Sequence, residues 1–377
     1  MENPKPTKLG NIWSTNLMKL LVAVYLQLGW IGWILANTTW IGFWTLPIGL
    51  TLFGILLSEL LLSAVLLWKY RNYWFFGAIV GYGILLFEDF AFHPFQNLEI
   101  EEMTIKATSP IQVLTWNIGG QTSVKLQNHK EECIQQFLQK WQIPQMEQFL
   151  LFQEFPSTYE RTLEQNLNIQ CHWSPYFNSQ KRGSGLLICA DPSWNFTFEH
   201  HRVYKNDQRY GYLQVELQNQ HTGQKLNLLD IHLESLYLTA RNSKAIDLHS
   251  SVLNTLWSNP KPKTWLKILE MNTKNQEEAM ESVFNMLSRF KDPTIIGGDF
   301  NSPSTMWFHQ KLQNEFQDAH LYAGNGWGTT VNRLKILNSR IDYIYASTGL
   351  KWVNTALVHH SVRCSDHFPV SAFIQIP

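Results

Sequence analysis

The sequence predicts a layered α/β domain preceded by three transmembrane helices, and three observations carry that expectation. Strand-like and helix-like stretches alternate over about 270 residues of the C-terminal part. The first 95 residues instead hold three long apolar runs. Several of the strand-like runs end in an acid, amide or imidazole group, a common way to build a reactive site on buried strands. The chain divides accordingly into an anchor over residues 1–95, a polar linker over 96–109 and a globular domain over 110–377.

The anchor comes first in the chain. Leu20 to Ala36 is apolar apart from Gln27, Trp40 to Trp68 is broken only by Pro47, Glu59 and small polar residues, and Tyr73 to Phe87 is apolar again. A bilayer core takes about 20 apolar helical residues. Trp30, Trp33, Trp40, Trp44, Trp68, Tyr70 and Trp74 cluster at the segment ends, as an aromatic belt would. Three such runs in succession exceed what a buried helical hairpin needs. The first run has a basic flank but no A-x-A-like cleavage site, since Ala36-Asn37-Thr38-Thr39 matches poorly; it is expected to be retained. Lys5, Lys8 and Lys19 precede the first run, Lys69 and Arg71 lie between the second and third, and the flank after the third is acidic (Glu88, Asp89, Glu99, Glu101, Glu102). Three spans with the N-terminus inside put the domain on the outer side of the membrane. If the third run is only interfacial, the domain faces the cytoplasm.

Bulk charge narrows the partners. The 30 basic residues balance 30 acidic ones, and the first 100 residues hold five of each sign, so the remainder is also neutral. A chain that grips a nucleic-acid backbone non-specifically carries a basic excess, so nucleic acid is not the favoured partner. Cys133, Cys171, Cys189 and Cys364 show no C-x-x-C or zinc spacing. Cys189, in the apolar run Leu186-Leu187-Ile188-Cys189-Ala190, is expected simply to be buried, and a Cys133–Cys171 disulfide is conceivable outside the cytoplasm. There is no G-x-x-x-x-G-K-[ST] loop and no G-x-S-x-G elbow, which removes support for nucleotide-driven motor chemistry and for a serine hydrolase.

Within the domain, strands are expected over Ile111–Asn117, Gln148–Glu154, Ser184–Ala190, Gly211–Leu217, Lys225–Leu233, Thr294–Phe300, Arg340–Ala346 and Val370–Ile376. Helices are expected over Glu131–Trp141, Ser243–Trp257 and Asn275–Arg289. Five strands share one form. The first ends in the amide of Asn117, the second in the carboxylate of Glu154, and the fifth in the imidazole of His232. Gly298-Asp299-Phe300-Asn301 closes the sixth, and Ser365-Asp366-His367-Phe368-Pro369 opens the last, with Asp342 on the strand between. Oxygen donors without a Cys or His cluster favour a hard cation, Mg²⁺ or Mn²⁺, over Zn²⁺. Two histidines can donate to phosphoryl oxygens, and a free carboxylate can orient or deprotonate a water. Together these parts suit metal-assisted phosphoester hydrolysis. Singly, each is as readily a cap, a turn former or a satisfied core histidine.

Thr115-Trp116-Asn117, Gln153-Glu154, Asp230-Ile231-His232, the G-D-F-N string, Arg340-Ile341-Asp342-Tyr343-Ile344 and the S-D-H-F-P string follow one another in the order of the endonuclease/exonuclease/phosphatase (DNase I-like) superfamily. The domain resembles that superfamily, and the apolar N-terminus resembles that of its bacterial membrane-anchored branch. The resemblance implies a four-layer α/β sandwich, two packed mixed β-sheets flanked by helices, with the site at one edge. It also implies roles. Glu154 resembles the main Mg²⁺ ligand, with Asn117 and Asp366 nearby. Asp299 resembles the residue that activates or orients the attacking water, and Asn301 its phosphate-positioning partner. His232 and His367 resemble the pair that stabilises the pentacovalent phosphate, with Asp342 orienting His367. Asp230 departs from the pattern, which often has Asn there; an extra carboxylate would lower anion affinity or add metal affinity.

Three stretches stay open between a functional and a structural reading. Lys181-Arg182-Gly183-Ser184-Gly185 is either a phosphate-approaching loop or a solvated turn. Asn325-Gly326-Trp327-Gly328-Thr329-Thr330 either walls the site or turns the chain. Pro260 to Leu269, basic and apolar together, is a lid or membrane contact, or an ordinary loop and packed helix. The expectation for the whole is a membrane-anchored, Mg²⁺-dependent phosphohydrolase in a bacterial cell membrane. Its domain would be extracytoplasmic and its substrate a phosphate-containing molecule, lipid-linked or free. The alternatives are a surface-tethered nuclease and a catalytically silent scaffold or sensor.

Overall fold

The computed structural model describes the backbone of Phe92–His93 and residues 110–119, 124–143, 146–176, 184–203, 210–235, 262–304, 306–324, 326–331 and 340–376. The three apolar runs, the 96–109 linker, the helix expected at Ser243–Trp257 and residues 181–183 lie outside the described residues. No helix among the described residues is long and apolar enough to cross a membrane.

The strands in chain order are β1 (Phe92–His93), β2 (Ile111–Asn117), β3 (Glu147–Pro156), β4 (Gln170–Pro175), β5 (Ser184–Ala190), β6 (Trp194–Val203), β7 (Gly211–Asn219), β8 (Lys225–His232), β9 (Thr294–Asp299), β10 (Phe316–Asp318), β11 (Gly326–Trp327), β12 (Asp342–Ser347), β13 (Lys351–Val358) and β14 (Val370–Gln375). The helices are α1 (Val124–Trp141), α2 (Glu160–Leu167), α3 (Pro262–Leu287), α4 (Trp307–Gln313) and α5 (Ala319–Ala323). One six-stranded sheet runs β13-β14-β2-β3-β5-β4 and the other β10-β12-β9-β8-β7-β6, while β1 and β11 form a small ribbon. Each large sheet is mixed. Its central pair is parallel, β2 with β3 in one and β8 with β9 in the other, and every other pairing is antiparallel.

The two sheets pack through a shared apolar layer that includes Val113, Phe149, Leu151 and Ile188 of one and Leu213, Val215, Leu228, Ile295 and Ile344 of the other. On the outer face of the first sheet, Leu114, Trp116, Leu150 and Phe152 join Ile134, Leu138 and Trp141 of α1 and Leu163 and Leu167 of α2. Beside the second sheet, His309 of α4 stacks on Tyr345 of β12, and Gln276 of α3 donates to the carbonyls of Phe300 and Asn301. Strands buried on both faces read as continuous apolar runs rather than alternating ones.

All eight expected strands are present, some with ends shifted by a few residues. The expected Arg340 start moves to Asp342, because the Arg340 guanidinium turns onto the buried Asp318 carboxylate at 2.7 Å. Two cysteine expectations are overturned. Cys133 pairs with Cys364, not Cys171, and Cys189 is bonded to Cys171 as well as buried. The antiparallel register of β4 and β5 sets Cys171 directly opposite Cys189, whereas Cys133 lies on α1. The stretch at Pro260–Leu269 enters α3 from Pro262.

Candidate active site at the common edge of the two sheets

Topology gathers the polar strand ends. A parallel central pair points both C-termini the same way, and each antiparallel neighbour begins at that edge. Asn117 ends β2 opposite Gln153, and Glu154 follows on β3. In the second sheet His232, Asp299 and Asp342 sit side by side, because His232 pairs with Asp299 and Asp299 with Asp342. His367 lies just before β14, the antiparallel neighbour of β2. All eight residues expected from sequence therefore lie at the end of a strand or beside one.

Local backbone features aim them. The β3–β5 register shifts between Phe152 and Phe155, and within this irregularity Glu154 takes φ 55°. In the G-D-F-N string, a Cβ on Gly298 would stand 1.9 Å from the Ile231 carbonyl, so only glycine lets β9 approach β8 this closely. Phe300 is fully buried, and Asn301 turns into the left-handed region at φ 50°, which asparagine tolerates. The S-D-H string is tied on every side. Trp116 donates to the His367 carbonyl at 3.0 Å, Ser365 Oγ to the Asn117 carbonyl at 2.9 Å, and the Phe368 N–H to the Thr330 carbonyl at 2.7 Å. Thr330 Oγ1 also accepts from the N–H groups of Ile341 and Asp342. The glycine-rich stretch before Thr330 thus ends in a brace for Asp342 and His367.

One oxygen is the centre of the arrangement. Asp299 Oδ2 has Asn117 Nδ2 at 2.8 Å, Asn301 Nδ2 at 3.2 Å, His232 Nε2 at 3.6 Å and His367 Nε2 at 3.8 Å. Its other oxygen accepts the Asn301 N–H at 2.8 Å. Burial pushes the Asp299 carboxyl up to about 7, and Asp342 adds to this; His367 and the Asn117 and Asn301 donors pull the other way. Burial alone would lower His367, but the Asp342 and Asp299 carboxylates outweigh it and hold the imidazole at about 10. His367 Nδ1 lies 3.0–3.1 Å from both Asp342 oxygens. His367 is therefore an imidazolium at neutral pH, with one N–H on Asp342 and the other directed into the site.

Sequence reasoning missed Tyr176, Tyr210 and Lys130. The Tyr176 hydroxyl accepts the Glu154 N–H at 3.2 Å and lies 2.8 Å from His232 Nδ1. Burial holds this phenol well above its ordinary pKa. A phenol that donates to Nδ1 leaves the His232 N–H on Nε2, facing Asp299. Tyr210 packs edge-on against the same ring at 4.8 Å. No motif marks either tyrosine. The Lys130 ammonium reaches from α1 to the Gly119 carbonyl; burial lowers its pKa, against the pull of Glu154 and Asp366.

Asp230 is buried between the sheets rather than in the site, and accepts from Gln153 Nε2 at 2.6 Å. Burial holds it well above the usual carboxylate range, against the pull of the Gln153 hydrogen bond.

Two oxygen-bearing groups compete as a cation seat. Asp299, Asp342 and His367 hold ligand atoms within 4.8 Å of one another, but both Asp342 oxygens face His367 Nδ1 and Asp299 is ringed by donors. Glu154, one third exposed, Asp366, half-buried, and Asn117 fit a hard cation better. Asn117 Oδ1 accepts the Gly119 N–H at 2.8 Å and keeps a second lone pair. Mg²⁺ is characteristically held by one or two carboxylates while it retains several waters.

Two packed mixed sheets with acid, amide and imidazole groups gathered at one edge define the architectural class. The chain belongs to the endonuclease/exonuclease/phosphatase family, whose model matches residues 114–367. It is similar in fold to an endonuclease/exonuclease/phosphatase family protein from Bacteroides thetaiotaomicron, at 13% identity and TM-score 0.53, over 72% of this chain and 99% of that one. A family protein from Bacteroides vulgatus gives 11% identity and TM-score 0.52 over 71% and 100%. The human Nocturnin catalytic domain, with a bound sulfate anion, gives 16% and 0.50 over 71% and 95%. No curated protein matches the chain significantly.

Proposed function

We propose that the protein is a divalent-metal-dependent phosphoester hydrolase, held at a bacterial membrane with this domain outside the cytoplasm and acting on a membrane-associated phosphate or pyrophosphate. The observation that carries the chemistry is the ring of four nitrogens about Asp299 Oδ2, beside the Glu154–Asp366 pair.

Glu154, Asp366 and the Asn117 carbonyl would hold Mg²⁺ or Mn²⁺, which supplies Lewis-acid polarisation of a phosphoryl oxygen. The chain's own residues do the rest. Asn117 and Asn301 fix the Asp299 carboxylate by hydrogen bonds. A water beside Oδ2 passes its proton to that carboxylate as its oxygen bonds to phosphorus. The bond from phosphorus to the leaving oxygen breaks, and solvent protonates the leaving group. His232 and His367 donate from Nε2 to the non-bridging oxygens as charge builds there. An Asp299 carboxyl near neutrality suits this base role.

The apolar runs of the first 95 residues support the membrane reading. Both cysteine pairs being disulfides supports the outer side, because such bonds persist in oxidising compartments. Confinement to one surface raises the effective concentration of a lipid-linked substrate. The test is to incubate the full-length chain with polyprenyl pyrophosphate and with plasmid DNA, each with Mg²⁺ and with chelator. Phosphate release from the lipid in Mg²⁺ alone is expected, and Asp299→Asn is expected to lower it about a thousandfold. Activity that survives chelation would sink the metal dependence, and cleavage of DNA with the lipid left intact would sink the substrate class.

A further inference from the structure

Lys130 has no part in the steps above, yet it is built into the site. It lies on α1 one turn before Cys133, on the same helix face. Cys133 is bonded to Cys364, the residue directly before Ser365-Asp366-His367. The helix that carries the ammonium is thus fastened to the loop that carries Asp366. Lys130 donates to the Gly119 carbonyl, two residues beyond Asn117. A Cβ on Gly119 would lie 3.2 Å from Asp366 Oδ1 and 3.6 Å from Lys130 Nζ, so carboxylate and ammonium face one small space. Glu154 is the other carboxylate within reach of its charge.

We propose that Lys130 is a resident second cation: its ammonium takes the place that a second metal ion occupies in two-metal phosphoryl sites, so this site binds one divalent ion. The inference rests on the metal-dependent reading above. The charge balance explains the design. Two carboxylates and one divalent ion sum to zero, and the ammonium leaves the seat positive toward a phosphate dianion. Two-metal sites hold their ions about 3.5–4 Å apart. A second ion placed so near a fixed ammonium would meet strong repulsion in a partly buried setting.

The experiment counts ions rather than turnover. Metal-free full-length protein is titrated with Mn²⁺, with free ion followed by electron paramagnetic resonance and heat by calorimetry. Wild type is expected to bind one ion at the site, and Glu154→Gln to lose it. Lys130→Ala and Lys130→Met are each expected either to bind a second ion or to hold the first about tenfold or more tighter. Lys130→Arg, which keeps the charge, is expected to match wild type. Two ions in wild type would overturn the proposal. So would Ala and Met variants that both match wild type in number and affinity while Glu154→Gln still loses the ion. No ion in wild type would overturn the metal-dependent reading itself, and this proposal with it.

Discussion

The two histidines at the edge face the same oxygen and are held by different chemistry. His367 rests on a carboxylate, Asp342, at 3.0 Å; His232 rests on a phenol, Tyr176, at 2.8 Å. Their Nε2 atoms stand 3.8 Å and 3.6 Å from Asp299 Oδ2, so the outward geometry is nearly the same. The partner behind the ring sets what each can offer. A carboxylate favours the imidazolium and gives a fixed positive charge; a neutral phenol fixes a tautomer without adding charge. The site thus pairs a charged donor with an oriented donor. Two imidazolium ions facing one carboxylate oxygen would repel each other, and two neutral rings would stabilise less of the charge that builds on phosphorus.

The sharpest way to break this comparison is Asp342→Asn. It keeps the shape and removes the charge behind His367, and an amide oxygen in place of the carboxylate holds the ring far less firmly. A loss of about a thousandfold in kcat is expected, with KM changed little. The pH profile separates charge from packing. Wild-type activity should rise as Asp299 ionises through about 7 and fall as His367 deprotonates through about 10. In Asp342→Asn the alkaline limb should move down by about 1–2 pH units. Stability follows the same sign. His367 has a raised folded-state pKa, so its contribution is complete below about 6.5 and fades as pH rises through about 10. Chemical denaturation of metal-free protein across that window should show the loss in wild type and a flatter curve in Asp342→Asn. An unmoved alkaline limb would end the charged-donor assignment.

The sequence showed one of these arms and hid the other, for a physical reason. Asp342 and His367 stand in short strings beside apolar runs, and central strands buried on both faces announce themselves as such runs. β2, β3, β5, β7, β8, β9, β12 and β14 were all legible, and these bring all eight expected site residues to the edge. Besides the short β1–β11 ribbon, the strands that were not legible are β4, β6, β10 and β13, which are the outermost strands of the two large sheets. An edge strand has one open side, so residues such as those of Gln170-Cys171-His172-Trp173 give no clean apolar signal. Tyr176 follows β4, one of those edges, and was lost with it. Lys130 was hidden differently. It looks like any solvated helix lysine, and only the fold shows where α1 lies. The cysteine pairing failed for the same reason, since opposition across β4 and β5 cannot be read without β4.

Each disulfide belongs to one arm, which gives a second and milder test. Cys133–Cys364 ends one residue before Ser365 and two before Asp366, whereas Cys171–Cys189 joins β5 to β4, the strand that leads to Tyr176. Replacing Cys133 and Cys364 together by serine should cost about 10- to 100-fold in kcat, because small displacements of Asp366 and His367 are felt directly. Replacing Cys171 and Cys189 should cost stability, about 2–4 kcal/mol by denaturant titration, with turnover of the folded protein nearly kept. Equal kinetic losses in both pairs would show that the staples serve the fold alone.

The smallest effect should come from Tyr176→Phe. The ring stays, so packing against His232 at 5.8 Å between centroids is kept. What goes is the hydrogen bond to Nδ1 and the acceptor of the Glu154 N–H. A neutral hydrogen bond contributes about 1 kcal/mol net, so kcat should fall by about five- to tenfold. The alkaline limb should stay where it is, because that limb belongs to His367. Nitrogen-15 spectra of the His232 ring should show the Nε2–H tautomer in wild type and a mixture in the variant. The same Nε2–H population in both proteins would mean that the phenol does not set the ring. The difference between the two arms would then lie in Asp342 alone.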